Sequence, residues 1–142
     1  MSNDESNWSS WVRKAEHDLL NIRNNVAAEQ VPWDTVCFHA QQAAEKMLKA
    51  FLAFHGEQPR YTHDLLVLLE GCARFDPGLS ELAMPCALLT PYAVEVRYPS
   101  VYEPGEEEAR AVLQASQQVC SAMQSRFPPP VLPTAVPLSP DT

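Results

Sequence analysis

The sequence lacks several features that would by themselves indicate a function. No apolar run reaches the ~18 to 20 residues that span a bilayer, so no membrane segment is expected. The four cysteines are far apart and form no CxxC pair, so a metal site is not expected. P-loop, GxGxxG, HExxH and GxSxG signatures are also absent, which removes the common short catalytic motifs. The sequence therefore predicts neither a metal ion nor a cofactor.

Positive charge is scarce as well. Ten Lys and Arg residues stand against 18 Asp and Glu residues, which gives a net charge of -8. Nucleic-acid-binding proteins usually carry a basic stripe, so non-specific binding to nucleic acid is not expected. The N-terminal sequence MSNDESNWSS is acidic and polar, unlike a secretory signal. A cytoplasmic location with free thiols is the simplest interpretation.

Strand patterns and internal repeats are missing, whereas helical periodicity is present along most of the chain. The predicted fold is all-α, an up-and-down bundle of four to five helices. Residues 1–127 are predicted to form this single domain, since 142 residues is about the size of one domain. Residues 128–142 are rich in proline and nearly uncharged, and are predicted to be a disordered tail.

The central helix is predicted around residues 38–52, FHAQQAAEKMLKAFL. Asp34 is its expected N-cap, and Gly56 its expected left-handed C-terminal residue. Two apolar lines run along it: Val36, Ala40, Ala43, Met47, Phe51 and Phe54, and beside them Cys37, Ala44, Leu48 and Leu52. Because one line is enough to face the core, the second is predicted to contact a further helix or a second copy of the chain.

Four other helical regions are predicted. An amphipathic helix is predicted over roughly residues 7–29, and a short helix is predicted after Thr62 as its N-cap. Residues 79–96 have a helical pattern that Pro85 and Pro91 interrupt, so the fourth element is predicted to be kinked or broken. The last helix is expected to run from Glu106 to about residue 127.

A polar strip on the central helix supplies the first candidate binding residues. It contains Gln41, Gln42, Glu45, Lys46 and Lys49. His39 lies at its rim beside Lys46, where the two side chains are predicted either to present a small cationic face or to be an ordinary half-buried part of the helix. His63 is predicted in the first turn of the short helix, with a structural role at the end of the bundle.

The sequence RYPSVY at residues 97–102 is the most informative local cluster. Arg97 can grip a phosphate through its guanidinium group, and Tyr98 and Tyr102 can stack on a base. The same side chains can instead tie this loop to the bundle, and the two interpretations are equally supported.

Together, the 38–52 stretch, THDL at residues 62–65 and RYP at residues 97–99 resemble the HEPN (higher eukaryotes and prokaryotes nucleotide-binding) family. The resemblance covers roughly residues 8–127. It implies a bundle of four or five helices that commonly forms homodimers and is often encoded beside a minimal nucleotidyltransferase. Many such proteins are metal-independent ribonucleases that act as toxins.

The resemblance also implies where the ribonuclease site lies and shows that it is incomplete. In the ribonucleases, an arginine is followed after four to six residues by a histidine. Arg97 matches the arginine, but Tyr102, Glu103 and Pro104 occupy the histidine positions, and no histidine follows Arg97 anywhere in the chain. A tyrosine is a weak general base at neutral pH.

The function predicted from the sequence is therefore binding rather than catalysis. The expected protein is a homodimeric module that partners a minimal nucleotidyltransferase in a toxin–antitoxin-like pair, with a nucleotide as candidate ligand. One alternative is a ribonuclease that cleaves RNA with Arg97 and a histidine from elsewhere, His63 or His39. Another is that Tyr102 or Tyr98 accepts AMP from the transferase.

Overall fold

The computed structural model describes residues 7–94 and 103–128. These residues form five α-helices and two short 3-10 helices, with no strand among them, which confirms the all-α bundle. The α-helices are α1 (Trp8–Val26), α2 (Trp33–Phe54), α3 (Leu65–Ala73), α4 (Ala83–Leu89) and α5 (Glu106–Gln124). None of them is long and apolar enough to cross a membrane.

Helix α2 is the centre of the bundle, as the 38–52 stretch predicted. Helix α1 runs antiparallel to it, because the Trp8 ring lies 5.1 Å from the Phe54 ring while Asp18 lies beside His39 further back along α2. Helix α5 packs on another side of α2 and runs in the same direction. There Ser116 donates a hydrogen bond of 2.8 Å from its Oγ to the carbonyl oxygen of Ala40.

The second apolar line of α2 is buried inside the single chain. Cys37, Ala44, Leu48 and Leu52 are all at most 4% exposed. Helix α3 covers part of this line, and the Cys72 thiol donates to the carbonyl oxygen of Leu48 at 3.4 Å. Of the two predicted coverings, the structure shows a further helix. The line is therefore closed to a second copy of the chain, and any dimer contact has to lie elsewhere.

The start of α3 differs from the prediction by two residues. Asp64 is the N-cap, and its carboxylate accepts a hydrogen bond from the backbone N–H of Leu66 at 3.0 Å. Thr62 was the predicted cap, but its hydroxyl instead accepts from the N–H of Asp64 in the preceding turn. His63 therefore lies before the helix, not in its first turn. The carboxylate of Asp64 is the stronger acceptor for an unpaired helix donor.

The ends of α2 give one correction and one confirmation. The helix begins at Trp33. Pro32 is its N-cap residue and provides no side-chain hydrogen bond to the helix. Asp34 was the predicted cap but lies in the first turn, where the helix dipole favours a carboxylate. Gly56 follows the helix with φ of 81°, the left-handed conformation that its position predicted.

The fourth predicted element is broken into three pieces, as predicted, but Pro85 lies near the start of α4 and does not interrupt it, because the first turn of a helix tolerates proline. A 3-10 helix, Pro77–Leu82, leads into α4, and a second 3-10 helix, Thr90–Ala93, follows it. Pro91 lies in this second 3-10 turn, because a proline in an α-helix lacks the N–H donor and clashes with the preceding turn. The proposed domain end at residue 127 stays a prediction, since residues 129–142 lie outside the described part.

Candidate functional site

Charged and polar side chains from three parts of the chain meet along one side of α2. We call this set the polar seam: Asp18, His39, Gln41, Gln42, Glu45, Lys46, Lys49 and His63. The predicted polar strip supplies most of it. However, three strip residues, Gln41, Glu45 and Lys49, are almost fully buried. Buried charges require close partners, so the seam is a constructed ion-pair network rather than a solvated helix face.

Asp18 of α1 holds the first half of the seam. One of its carboxylate oxygens lies 2.7 Å from Nδ1 of His39, and the other lies 2.7 Å from Nζ of Lys46. Both partners are on α2, seven residues apart and therefore on the same helix face. The predicted proximity of His39 and Lys46 is confirmed. Both side chains bind the carboxylate of Asp18, however, so they are a half-buried structural pair.

Glu45 holds the second half. Its carboxylate accepts hydrogen bonds from Lys49 Nζ at 2.9 Å, from His63 Nδ1 at 2.9 Å and from Gln41 Nε2 at 3.2 Å. Burial alone would raise the pKa of Glu45, but the hydrogen bonds from His63, Lys49 and Gln41 outweigh burial and hold the pKa below its ordinary value. Glu45 is therefore held as a carboxylate, and it fixes the ring of His63.

The two imidazole rings differ in what they offer to a ligand. A carboxylate only accepts hydrogen bonds, so Nδ1 carries the hydrogen in both His39 and His63 and Nε2 is left for other contacts. The His39 side chain is 18% exposed, whereas that of His63 is 67% exposed. His63 is thus the one that presents an oriented ring to solvent.

Arg97, Tyr98 and Tyr102 lie outside the described residues, so their candidate roles stay predictions. The chain on either side of them is anchored, because the hydroxyl of Tyr92 donates a hydrogen bond to the carboxylate of Glu108.

Sequence reasoning missed Asp18. The signal was present, because Asp18 occupies an inward position between Ala15 and Ile22 of α1, where a charged side chain needs a buried partner. The nearest candidate partners on the neighbouring helix were the strip cations.

A second feature is an uncharged surface on α4. Residues 82–94 contain no charged side chain, yet Met84 is 81% exposed and Leu88 is 43% exposed. Between α4 and α5 runs a groove of about 390 Å³ whose lining contains one charged residue, Glu81. An exposed apolar surface of this kind is typical of a protein–protein contact. We call it the α4 face, defined by Ala83, Met84, Ala87 and Leu88.

The chain belongs to the HEPN domain family, whose model matches residues 8–126. No curated protein matches the sequence.

Two solved structures share the fold. One is TT1696 from Thermus thermophilus, with 24% identity and a TM-score of 0.71 over 84% of this chain and 98% of that one. The other is ST0689, an archaeal HEPN homologue, with 22% identity and a TM-score of 0.63 over 84% of this chain and 97% of that one. This chain spans nearly the whole length of both relatives, so the shared fold extends over almost all of each relative.

Proposed function

We propose that this protein is a cytoplasmic, homodimeric HEPN binding module without ribonuclease activity. The observation that carries the proposal is the α4 face, an exposed apolar surface on a protein with a net charge of -8. The absence of any histidine after Arg97 supports binding over RNA cleavage. The family resemblance adds a minimal nucleotidyltransferase, in a toxin–antitoxin-type pair, as the proposed partner.

The α4 face suits contact with a second copy because it carries no charged side chain that would repel the same face of that copy. In a two-fold symmetric contact each surface meets itself, so a like charge at the centre would face a like charge. Met84 and Leu88 are four residues apart and lie on one side of α4, with Ala87 between them. The small alanine permits a close approach of two α4 helices.

This dimer also gives Arg97 a role. The uncharged stretch 82–94, which contains the α4 face, ends three residues before Arg97 in the sequence. Because of this closeness in sequence, we propose that the Arg97 segments of both chains take part in the same contact. Arg97 and Tyr98 from each chain are then our candidate contacts for a nucleotide, with phosphate bound by the guanidinium groups.

Mutation of the α4 face tests the dimer. We expect the wild type to sediment as a dimer of 15.8 kDa chains at micromolar concentration. Leu88→Lys should weaken dimerisation by at least tenfold, because it places a charge at the centre of the contact. Leu66→Lys on α3 is the matched control, since Leu66 is 41% exposed and belongs to another surface. A monomeric wild type, or equal effects of the two variants, would refute the proposed dimer.

The ribonuclease alternative has one observation in its favour, the oriented and exposed ring of His63. Held by Glu45 through Nδ1, that ring has Nε2 available for proton transfer. We expect purified wild type, Arg97→Ala and His63→Ala all to leave single-stranded RNA intact. Cleavage by the wild type that both substitutions abolish would establish the enzyme and overturn the binding proposal.

A further inference from the structure

A groove runs between α1 and α5, on the other flank of α5 from the groove beside α4. Both helices pack mainly on α2 rather than on each other, and the space left between them measures about 360 Å³. This volume falls in the range of small-molecule sites, which begins at roughly 300 Å³. Most of the lining is aliphatic: Leu19, Ile22, Val26, Ala27 and Leu113. We call it the α1–α5 groove, and its walls suit the hydrocarbon part of a ligand.

The floor of the α1–α5 groove is nearly buried and needs no polar partner. Leu19 is 6% exposed and Ile22 is 8% exposed, so both contribute apolar surface from the edge of the core. The hydroxyl of Ser116, which also lines the groove, already donates its hydrogen to the carbonyl oxygen of Ala40. An alkyl chain placed here would therefore bury apolar surface without leaving this hydrogen-bond donor unsatisfied.

Arg110 of α5 lines the same groove and is held in one orientation. Its Nε donates a hydrogen bond of 2.8 Å to the carboxylate of Glu106, and its guanidinium lies 5.2 Å from the centroid of the Trp33 ring. Within the described part of the chain, the two terminal NH₂ groups of Arg110 have no hydrogen-bond partner. They are therefore available to donate two parallel hydrogen bonds to a carboxylate.

The charges at the groove have one sign. Arg23 of α1 is a second cation in its lining, and no Asp or Glu belongs to the lining that the described residues form. The nearby carboxylate of Glu106 is already paired with Arg110. Because the protein as a whole has a net charge of -8, this groove is a place where an anion meets favourable charge. It therefore suits a ligand that joins an aliphatic body to one anionic end.

We propose that the α1–α5 groove binds a small aliphatic carboxylate of the medium-chain fatty acid type. The hydrocarbon chain lies on Leu19 and Ile22, and the carboxylate accepts hydrogen bonds from the terminal NH₂ groups of Arg110. A planar carboxylate matches the fork of a guanidinium group, and the aliphatic walls offer no hydrogen bonds to a more polar body. The groove is built from one chain and is separate from the α4 face, so the site goes beyond the proposed function and does not require the dimer.

Calorimetric titration of the full chain with hexanoate, heptanoate and octanoate tests the inference. The affinity should rise about fourfold with each added methylene group, because each one buries further apolar surface. Octan-1-ol has the same chain without the charge and should bind at least tenfold more weakly than octanoate. The inference is overturned if octanoate does not bind at millimolar concentration, if the affinity does not depend on chain length, or if octan-1-ol binds equally well.

Two pairs of variants locate the site. Arg110→Ala should weaken octanoate binding about tenfold, whereas Arg74→Ala, which removes an exposed and paired arginine on another surface, should bind like the wild type. Gln117→Trp fills the groove and should abolish binding, whereas Gln118→Trp places the same ring on the other flank of α5 and should not. Equal effects within either pair would overturn the inference. So would a wild-type dimer that Gln117→Trp alone dissociates, since a second copy would then occupy the groove.

Discussion

Replacing Glu45 by alanine is expected to destabilise the protein by about 3 to 5 kcal/mol, a large part of the stability of a small domain. The substitution removes the carboxylate that pairs with Lys49 and orients His63. Lys49 is only 6% exposed, so its charge would stay in the interior without this partner. Chemical denaturation of the variant and the wild type measures the difference in the free energy of unfolding.

The matched control is Glu57→Ala. Glu57 also pairs with a cation, Arg74, but both side chains of this pair are largely exposed. Exposed ion pairs contribute about 0 to 1 kcal/mol, so this variant should remain close to the wild type. Equal effects of the two substitutions would show that the seam is no more than a surface ion pair.

The contribution of Glu45 should also depend on pH in one direction. Its pKa is below its ordinary value in the folded protein, so the folded state favours the carboxylate. The stabilisation is therefore present above the unfolded pKa of about 4.3 and is lost as the pH falls through the lower folded pKa. The difference between wild type and Glu45→Ala should shrink in that acidic range and stay constant near neutral pH.

Phe51→Ala is expected to destabilise the protein by about 3 to 5 kcal/mol as well, because it leaves a cavity in the core. Phe51 is 2% exposed at the centre of the bundle, whereas Phe54 on the same helix is 36% exposed. Phe54→Ala therefore removes the same atoms from the same helix at a site that water already reaches, and should cost less than half as much. If thermal or chemical unfolding shows the opposite order, α2 is not the central helix of the bundle.

Much of the fold was predictable because its local signals agree. The apolar spacing of α1, α2 and α5 places one face of each helix inward, and Gly56 marks the end of α2. Pro91 marks the end of α4 in the same way. These features depend on neighbours within a few residues, so the sequence contains them directly.

Which element covers the second apolar line of α2 was not predictable in this way. An apolar line on α2 shows that something covers it, but Leu48 and Leu52 do not reveal whether the cover is α3 or another chain. That choice depends on how residues 55–64 bring α3 back along α2. Tertiary connections of this kind have no periodic signal.

The candidate site shows the same division. The strip on α2 predicted that His39 and Lys46 lie together, since helical spacing fixes this. It did not predict that the Asp18 carboxylate binds both of these side chains, or that Glu45 binds His63. In each of these contacts the two residues are 18 or more positions apart in the chain. The sequence therefore located the polar strip, and the structure showed that it is part of a largely buried ion-pair network. The predictions for Arg97 and its tyrosines remain to be tested.

The dimer through the α4 face is the central claim, and a cross-linking measurement tests it most directly. A cysteine placed at the exposed Ala87 would be the reactive thiol on that face. The four native cysteines are buried, and burial raises the pKa of Cys72 and Cys86 to about 12, so they should not compete. Ala28→Cys, after α1, provides an exposed control on the other flank of α5.

Treatment of dilute protein with a short bis-maleimide should convert Ala87→Cys largely to a covalent dimer and leave Ala28→Cys monomeric. Adding Leu88→Lys to Ala87→Cys should abolish the cross-linked product. If Ala87→Cys stays monomeric while its thiol is fully modified, or if Ala28→Cys cross-links equally well, the α4 face is not the dimer contact and the proposed function is contradicted.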